Sequence, residues 1–273
     1  MSMVNAPEAS PLLEIRGLYK SFGPVEVLRD VDFSIYAGQV TALVGDNGAG
    51  KSTLVKCVSG IYGTDSGEFR FEGRPVTIHD PRDAAHLGIE IVYQDLALCD
   101  NLDIVQNMFL GRERLSGIVL DDPTMEQMAS DTLSSLAVRT VQSVRQKVAS
   151  LSGGQRQTVA IAKAVLWNGK LVILDEPTAA LGVAQTANVL ELVRRLADHG
   201  LAVVLISHNM NEVFAVSDRI AALYLGRMVA QVKATDTSHA QIVELITAGR
   251  SGNIGLPAEA DANDAFAGNG VQQ

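Results

Sequence analysis

One segment, Gly45-Asp-Asn-Gly-Ala-Gly-Lys-Ser52, restricts the possible folds of this chain more than any other. It matches the pattern G-x-x-x-x-G-K-[ST], with an apolar strand pattern before it at residues 39–44 and a helical pattern after it from Lys51. Glycines let backbone N–H groups turn toward phosphate oxygens, and the helix N-terminus adds a favourable dipole. The segment therefore predicts a phosphate-binding loop that joins a strand to a helix in an α/β fold.

Two side chains of this loop have expected roles. Lys51 is placed to reach the β- and γ-phosphates of a nucleotide, and the Ser52 hydroxyl is placed to coordinate Mg²⁺. The alternative is a glycine-rich turn with a solvated lysine, which the strand and helix on either side make less favourable. The candidate nucleotide-binding residues are Gly45, Asp46, Asn47, Gly48, Ala49, Gly50, Lys51, Ser52 and Thr53.

A second candidate motif is the apolar strand Leu171-Val-Ile-Leu-Asp-Glu176, which ends in two carboxylates. Ligands of open α/β sheets bind at the carboxyl ends of the strands, so these acids are expected beside the phosphate loop. Asp175 is a candidate Mg²⁺ ligand, through water, and Glu176 a candidate to orient or deprotonate an attacking water. Alone, the motif is equally compatible with a solvated turn.

Composition and charge exclude several classes of protein. The chain has 273 residues, of which 47% are apolar and 19% charged, so it can bury a sizeable core. Its net charge of −9, with no cluster of Lys and Arg, argues against nucleic-acid binding. Residues 1–10 do not resemble a signal peptide, and apolar runs such as 201–206 are far too short to span a bilayer. Cys57 and Cys99 have no metal-ligand spacing and are expected to be reduced.

The order of strand and helix patterns predicts the architecture. Residues 12–249 read as one folded unit, and residues 250–273, rich in Gly, Ala, Asn and Asp, are expected to be a disordered tail. The continuously apolar strands indicate a mostly parallel sheet covered by helices, whereas residues 12–78 indicate an antiparallel layer. Residues 101–149 look helical, and Ser238-His-Ala-Gln241 resembles a capping box. The expected buried strands are 39–44, 89–93, 171–174 and 202–206, and the expected helix between the last two is 186–198.

The most specific motif is Leu151-Ser-Gly-Gly-Gln155. It places a hydroxyl and close backbone donors at an expected helix N-terminus, which makes an anion site without a lysine. With this motif, nearly all of residues 12–249 resemble the ABC transporter ATPases. The resemblance implies an α/β P-loop NTPase with a RecA-like parallel-sheet core, an N-terminal antiparallel β layer and an inserted helical subdomain at about 95–165. It also implies that Ser152, Gly153, Gly154 and Gln155 bind the γ-phosphate of ATP held by a second copy of the chain, in a head-to-tail sandwich.

The same resemblance implies roles for three further side chains. Gln94 matches a glutamine that contacts Mg²⁺ and the membrane partner, and His208 matches a histidine that contacts the γ-phosphate. Phe22 matches the aromatic residue that stacks on adenine, although Tyr19 is close by and a core Phe is the common case. An ordinary core or capping histidine is the alternative for His208. One position departs from the family pattern, because Gly182 stands where an Asp usually reaches across the dimer.

Several segments resemble importers of simple sugars of the ribose, xylose and fructose type, among them Ile206-Ser-His-Asn-Met210 and Ala179-Ala-Leu-Gly182. This resemblance implies an ATPase with ATP and Mg²⁺ as cofactors, at the cytoplasmic face of the cell membrane. Its partners would be a second copy, transmembrane permease subunits and, indirectly, an extracytoplasmic sugar-binding protein. The alternatives are an importer ATPase for another solute, such as branched-chain amino acids, an exporter ATPase, and a soluble ABC ATPase outside transport.

Overall fold

The structure, a computed structural model, describes residues 10–138, 141–167 and 169–256. The described strands, in chain order, are β1 Leu13–Phe22, β2 Val25–Ile35, β3 Val40–Gly45, β4 Ser66–Phe71, β5 Arg74–Val76, β6 Ile89–Val92, β7 Leu115–Ser116, β8 Val119–Leu120, β9 Leu171–Asp175, β10 Ala202–Ile206, β11 Arg219–Tyr224, β12 Arg227–Lys233, β13 Arg250–Ser251 and β14 Ile254–Gly255. The described α-helices are α1 Lys51–Val58, α2 Pro81–His86, α3 Ile104–Phe109, α4 Asp122–Ser135, α5 Gly153–Leu166, α6 Val183–Asp198, α7 Met210–Val216 and α8 His239–Ala248.

A six-stranded sheet forms the centre of the molecule, in the order β12-β11-β3-β10-β9-β6. Its strands are parallel except β12, which pairs antiparallel with β11. The inner strands are apolar along their length because helices cover both faces. Ile206 at the end of β10 pairs with Asp175 on one side and with Leu43 on the other, so three strands end at the same edge. The predicted parallel core is confirmed.

The predicted antiparallel layer is also confirmed. It is a four-stranded sheet in the order β2-β1-β4-β5. Alternate residues of β1, Leu13 and Ile15, are buried and share a hydrophobic core with Leu54 and Val55 of α1. This layer therefore packs against the helix that follows the phosphate loop and fixes its position.

Helices α3, α4 and α5 form the helical part of the chain. Their apolar faces pack into one core with α6, and this core includes Met108, Leu133, Val159 and Val193. Residues 115–120, which we expected to be helical, instead form the β7–β8 hairpin. Gly117 has a φ of +66°, which suits a tight turn. The apolar side chains around it are exposed, so burial of one face does not favour a helix here.

The C-terminal part confirms one prediction and corrects another. Ser238 and Gln241 form the predicted capping box of α8. Residues 250–256, which we expected to begin a disordered tail, are ordered: β13 pairs with β14, and Ser251 Oγ donates to Glu244 Oε2 at 2.5 Å. The rest of the expected tail, residues 257–273, lies outside the described residues. Within the described ranges, no helix is both long and apolar enough to cross a membrane.

Candidate functional site

A cavity of about 890 Å³ opens at the edge where β3, β9 and β10 end. It brings together residues from the phosphate loop, the acidic strand end and the loops after β6 and β10. The predicted site residues that line it are Gly45, Asp46, Asn47, Gly48, Gly50, Lys51, Ser52, Thr53, Gln94, Asp175, Glu176 and His208.

The phosphate loop has the predicted strand–loop–helix geometry. Gly50, with a φ of +107°, lies directly before α1, and Lys51 Nζ donates to the carbonyl oxygens of Gly45 at 2.7 Å and Asp46 at 3.0 Å. Gly45 has no room for a side chain, because a Cβ there would lie 2.5 Å from the carbonyl oxygen of Leu223. Ala49 is buried and does not line the cavity. The lysine is therefore held against the backbone of the loop, and it lines the cavity.

Burial changes the charge balance of the loop lysine. Desolvation lowers the pKa of Lys51 from its ordinary value, against the opposing effect of Glu176, Asp46 and Asp175. These three carboxylates would repel a phosphate bound beside Lys51, and a cation bound together with the phosphate would reduce that repulsion.

Glu176 and His208 are in direct contact. Glu176 Oε2 lies 2.8 Å from His208 Nδ1, and the Glu176 backbone N–H donates to the Ile206 carbonyl at 3.0 Å. The Glu176 side chain is 18% exposed, whereas that of His208 is 80% exposed. Glu176 also has a φ of +50°, which is uncommon for a residue with a side chain and is often found at functional positions. The pair therefore places a carboxylate and an imidazole side by side in the lining of the cavity.

Asp175 carries an electrostatic cost in the free protein. Burial raises the pKa of Asp175 from its ordinary value of 3.8, and the neighbouring Glu176 raises it further, while Lys51 and Lys56 lower it. Asp175, Ser52 and Gln94 line the same cavity and offer carboxylate, hydroxyl and amide oxygens, which suit Mg²⁺. Among the described residues, no group of three or more His, Cys, Asp or Glu side chains could by itself hold a metal ion.

Asp175→Asn should stabilise the nucleotide-free protein at pH 8. A folded-state pKa above the unfolded value means that the charged carboxylate disfavours folding at high pH, and that this penalty is lost as the pH falls through the raised pKa toward 3.8. We expect the urea midpoint of the variant to exceed that of the wild type at pH 8 and the difference to shrink at pH 4.5. A lower midpoint than the wild type at pH 8 would contradict this electrostatic description.

The Leu151–Gln155 motif lies outside this cavity. Ser152 caps α5: its hydroxyl accepts from the Gln155 backbone N–H at 3.4 Å, and Gln155 Oε1 accepts from the Ser152 N–H at 2.9 Å. A Cβ on Gly153 would lie 3.3 Å from Leu181 Cδ2, so this turn packs closely on the segment before α6. Ser152, Gly154 and Gln155 border a separate small cavity of about 60 Å³. The turn therefore has the predicted cap geometry, and none of its residues lines the cavity at the phosphate loop.

Phe22 also does not line the cavity. It is 42% exposed at the end of β1, packs edge-on against Tyr62 with 5.1 Å between ring centroids, and lies under Lys20. Sequence reasoning missed six lining residues: Val27, Ala179, Ile206, Ser207, Met210 and Ile246. Four of them, Ala179, Ile206, Ser207 and Met210, lie within segments that resemble the family, which is a usable signal, whereas Val27 lies in β2 without a motif. Ile246 is on the distant helix α8, and only the fold brings it to the site.

Comparison with known proteins agrees with this geometry. The family model described as ABC transporter matches residues 28–179. The chain is 47% identical to the fructose import ATP-binding protein FrcA of Rhizobium meliloti, over 87% of this chain and 94% of that protein. It is 45% identical to the xylose/arabinose import ATP-binding protein XylG of Sulfolobus acidocaldarius, over 90% of this chain and 98% of that protein.

Solved structures support the same assignment. A crystal structure of a nucleotide-free ATP-binding cassette from an ABC transporter superposes with a TM-score of 0.74 at 25% identity, over 82% of this chain and 91% of that one. Fold, phosphate loop and acidic strand end therefore agree with the match to the family. The chain belongs to the ABC transporter family, as one of its ATP-binding and ATP-hydrolysing cassettes.

Proposed function

We propose that this chain is the ATPase subunit of an importer for a simple sugar. The observation that carries the proposal is its similarity, over nearly the whole length of both chains, to proteins named for fructose and for xylose/arabinose import. In this proposal the chain works as a pair at the cytoplasmic face of the membrane, bound to permease subunits that receive the sugar from an extracytoplasmic binding protein.

Each site residue has a proposed task. The loop glycines and Lys51 hold the phosphates, Glu176 orients and deprotonates the attacking water, and His208 contacts the γ-phosphate while it holds Glu176 in place. Ser52, Gln94 and Asp175 would hold Mg²⁺, which would supply positive charge to offset the negative charge of the phosphates. Phe22, exposed at the end of β1, is the proposed adenine-stacking residue.

The position of Ser152–Gln155 supports a two-chain site. The motif caps the N-terminus of α5, where backbone N–H groups can bind an anion. It does not line the cavity of its own chain. A second copy, arranged head to tail, would use this motif to cover the phosphate loop. Each of the two nucleotides would then lie between the loop of one chain and the Ser152–Gln155 turn of the other.

Gly182 bears on how strongly the two nucleotide sites of the proposed dimer are coupled. It lies before the first residue of α6, its N–H donates to Gln185 Oε1 at 3.3 Å, and a Cβ there would meet open space. The position tolerates a larger residue, so the absence of a carboxylate is not imposed by packing. Without a charged cross-subunit contact at this position, we propose that the two sites are less tightly coupled than in relatives with Asp.

Gln94 is the proposed link to the permease. It follows β6, and the chain beyond it leads into the helical subdomain. Arg112 ties that subdomain to the sheet, because it forms an ion pair with Glu90 of β6 at 2.7 Å and lies over the Trp167 ring. When two copies of the chain close around ATP, Gln94 and the helical subdomain would therefore move together. The free energy of ATP binding is what would drive transport.

Reconstitution tests this proposal. The chain would be combined in liposomes with the permease and binding protein encoded by neighbouring genes, and uptake of labelled fructose, xylose, arabinose and ribose measured with ATP on the cassette side. We expect ATP-dependent uptake of at least one sugar, and none with Glu176→Gln. Uptake of an amino acid but of no sugar would overturn the sugar assignment, and the absence of any binding to the permease would overturn the import assignment.

A further inference from the structure

Two loops carry the proposed catalytic pair, and one carboxylate outside the cavity joins them. Glu176 begins the loop after β9, which continues to Thr178, and His208 belongs to the loop after β10, between Ser207 and Asn209. We infer that Glu212, on the first turn of α7, is a positioning residue for ATP hydrolysis that clamps these two loops together. The inference rests on the roles proposed above for Glu176 and His208.

The Glu212 carboxylate accepts hydrogen bonds from both loops. Its Oε2 accepts from Thr178 Oγ1 at 2.5 Å and from Ser207 Oγ at 3.2 Å, and its Oε1 accepts from Asn209 Nδ2 at 3.0 Å. Thr178 and Ser207 are almost fully buried, at 7% and 2% exposure. Hydrogen bonds to a charged acceptor in such surroundings are among the stronger ones in proteins. The carboxylate thus fixes three donors from two separate loops.

Neighbouring bonds keep these donors in place. The Ser207 hydroxyl accepts from the Asn209 backbone N–H at 3.1 Å, so its own hydrogen is free to point to Glu212. Asn209 Oδ1 accepts from the Asn211 backbone N–H at 3.1 Å, which fixes the orientation of the amide and directs Nδ2 to Glu212. A Gln at position 212 can keep the two hydroxyl bonds through its carbonyl oxygen, but its amide nitrogen would then face Asn209 Nδ2, donor against donor.

The clamp acts close to the reacting groups without touching them. Thr178 is two residues after Glu176, and Ser207 directly precedes His208. Between the two loops, the described contacts at the site are the backbone bond from Glu176 to Ile206 and the pair of Glu176 with His208. If the clamp loosens, the distance between Glu176 and His208 is no longer fixed. A displacement of a catalytic group by a fraction of an ångström slows the chemical step more than it weakens substrate binding.

The first test is a kinetic comparison on the full chain. Glu212→Gln should lower kcat for ATP hydrolysis about 10-fold, with KM for ATP within about twofold of the wild type. Thr178→Val removes one hydrogen-bond donor and keeps the shape of the side chain. It should also lower kcat at unchanged KM, and it provides an independent test if Glu212→Gln impairs folding. An unchanged kcat in both variants would overturn the inference. A loss of Glu212→Gln activity that recovers at low temperature, together with a lowered melting temperature, would also overturn it, because the role would then be structural stability alone.

The second test exchanges the two partners. Asn209→Asp alone sets two carboxylates against each other and should lower kcat, whereas the double variant Asn209→Asp with Glu212→Gln restores a donor–acceptor pair and still caps α7 through the Asp oxygen. We expect the double variant to recover at least half of the wild-type kcat. Additive losses in the double variant contradict the clamp. Glu176→Gln distinguishes a failure of the clamp from a failure of the proposed catalytic roles. If that variant hydrolyses ATP normally, the roles on which the clamp rests are wrong.

Discussion

Replacing Glu176 with Gln should lower the ATP hydrolysis rate of the full chain at least about 100-fold, while the affinity for ATP stays within about threefold of the wild type. The reason is the geometry of the site. Glu176 is the shielded carboxylate at the end of β9, 2.8 Å from His208 and aimed into the cavity by an unusual backbone conformation. Glutamine keeps the size and the hydrogen bonding but cannot accept the proton of an attacking water.

The measurement is phosphate release with the matched binding titration on the same preparation. Glu68→Gln is a suitable control, because Glu68 is partly exposed, pairs with Arg70 on the antiparallel layer and does not line the cavity. We expect the control to keep wild-type rates. Near-normal hydrolysis by Glu176→Gln would remove this residue from its proposed role. A large loss of ATP affinity would show instead that Glu176 acts in binding.

Gly153→Asp should also lower the rate of ATP hydrolysis at least about 100-fold, and it should leave the affinity of a single chain for ATP unchanged. Gly153 is the first residue of α5, beside the Ser152 cap, so an Asp there places a negative charge where a γ-phosphate is proposed to bind. Because this turn does not line the cavity of its own chain, the added charge would not contact ATP bound there.

Gly153→Ala separates charge from shape. Its Cβ would lie 3.3 Å from Leu181 Cδ2, a tight contact that a small shift of a flexible side chain relieves. We therefore expect the Ala variant to lose much less activity than the Asp variant. If both lose activity equally, packing against Leu181 explains the effect and the anion site is not supported. If Gly153→Asp weakens ATP binding by the isolated chain, the motif acts within one chain.

Much of the fold followed from local sequence patterns. The apolar strands at the centre of the sheet were predicted within a residue or two, because burial on both faces leaves a continuous apolar run. The start of the helix after the phosphate loop, at Lys51, was also predicted. The phosphate loop and the acid pair were found because their spacing is dictated by phosphate and metal geometry. Both signals are local, so a single sequence is enough to show them.

Features that depend on tertiary contacts were not predictable in this way. The hairpin at Leu115–Ser116 and Val119–Leu120 has only two residues in each strand and exposed apolar side chains, which leaves no periodic pattern. The contact of His208 with Glu176 and the place of Ile246 at the cavity arise from strands and helices distant in sequence. Glu212 carries no motif that we recognised, because its partners lie on two separate loops.

The most direct test of the two-chain site is to mix the two inactive variants, Gly153→Asp and Glu176→Gln. A mixed dimer has one complete site, made of the phosphate loop and Glu176 of the first variant and the Ser152–Gln155 turn of the second. With equal amounts and weakly coupled sites, half of the dimers are mixed and each has one of two sites, so hydrolysis should return to about a quarter of the wild-type rate. A mixture that hydrolyses ATP no faster than the average of the two variants alone would contradict the account.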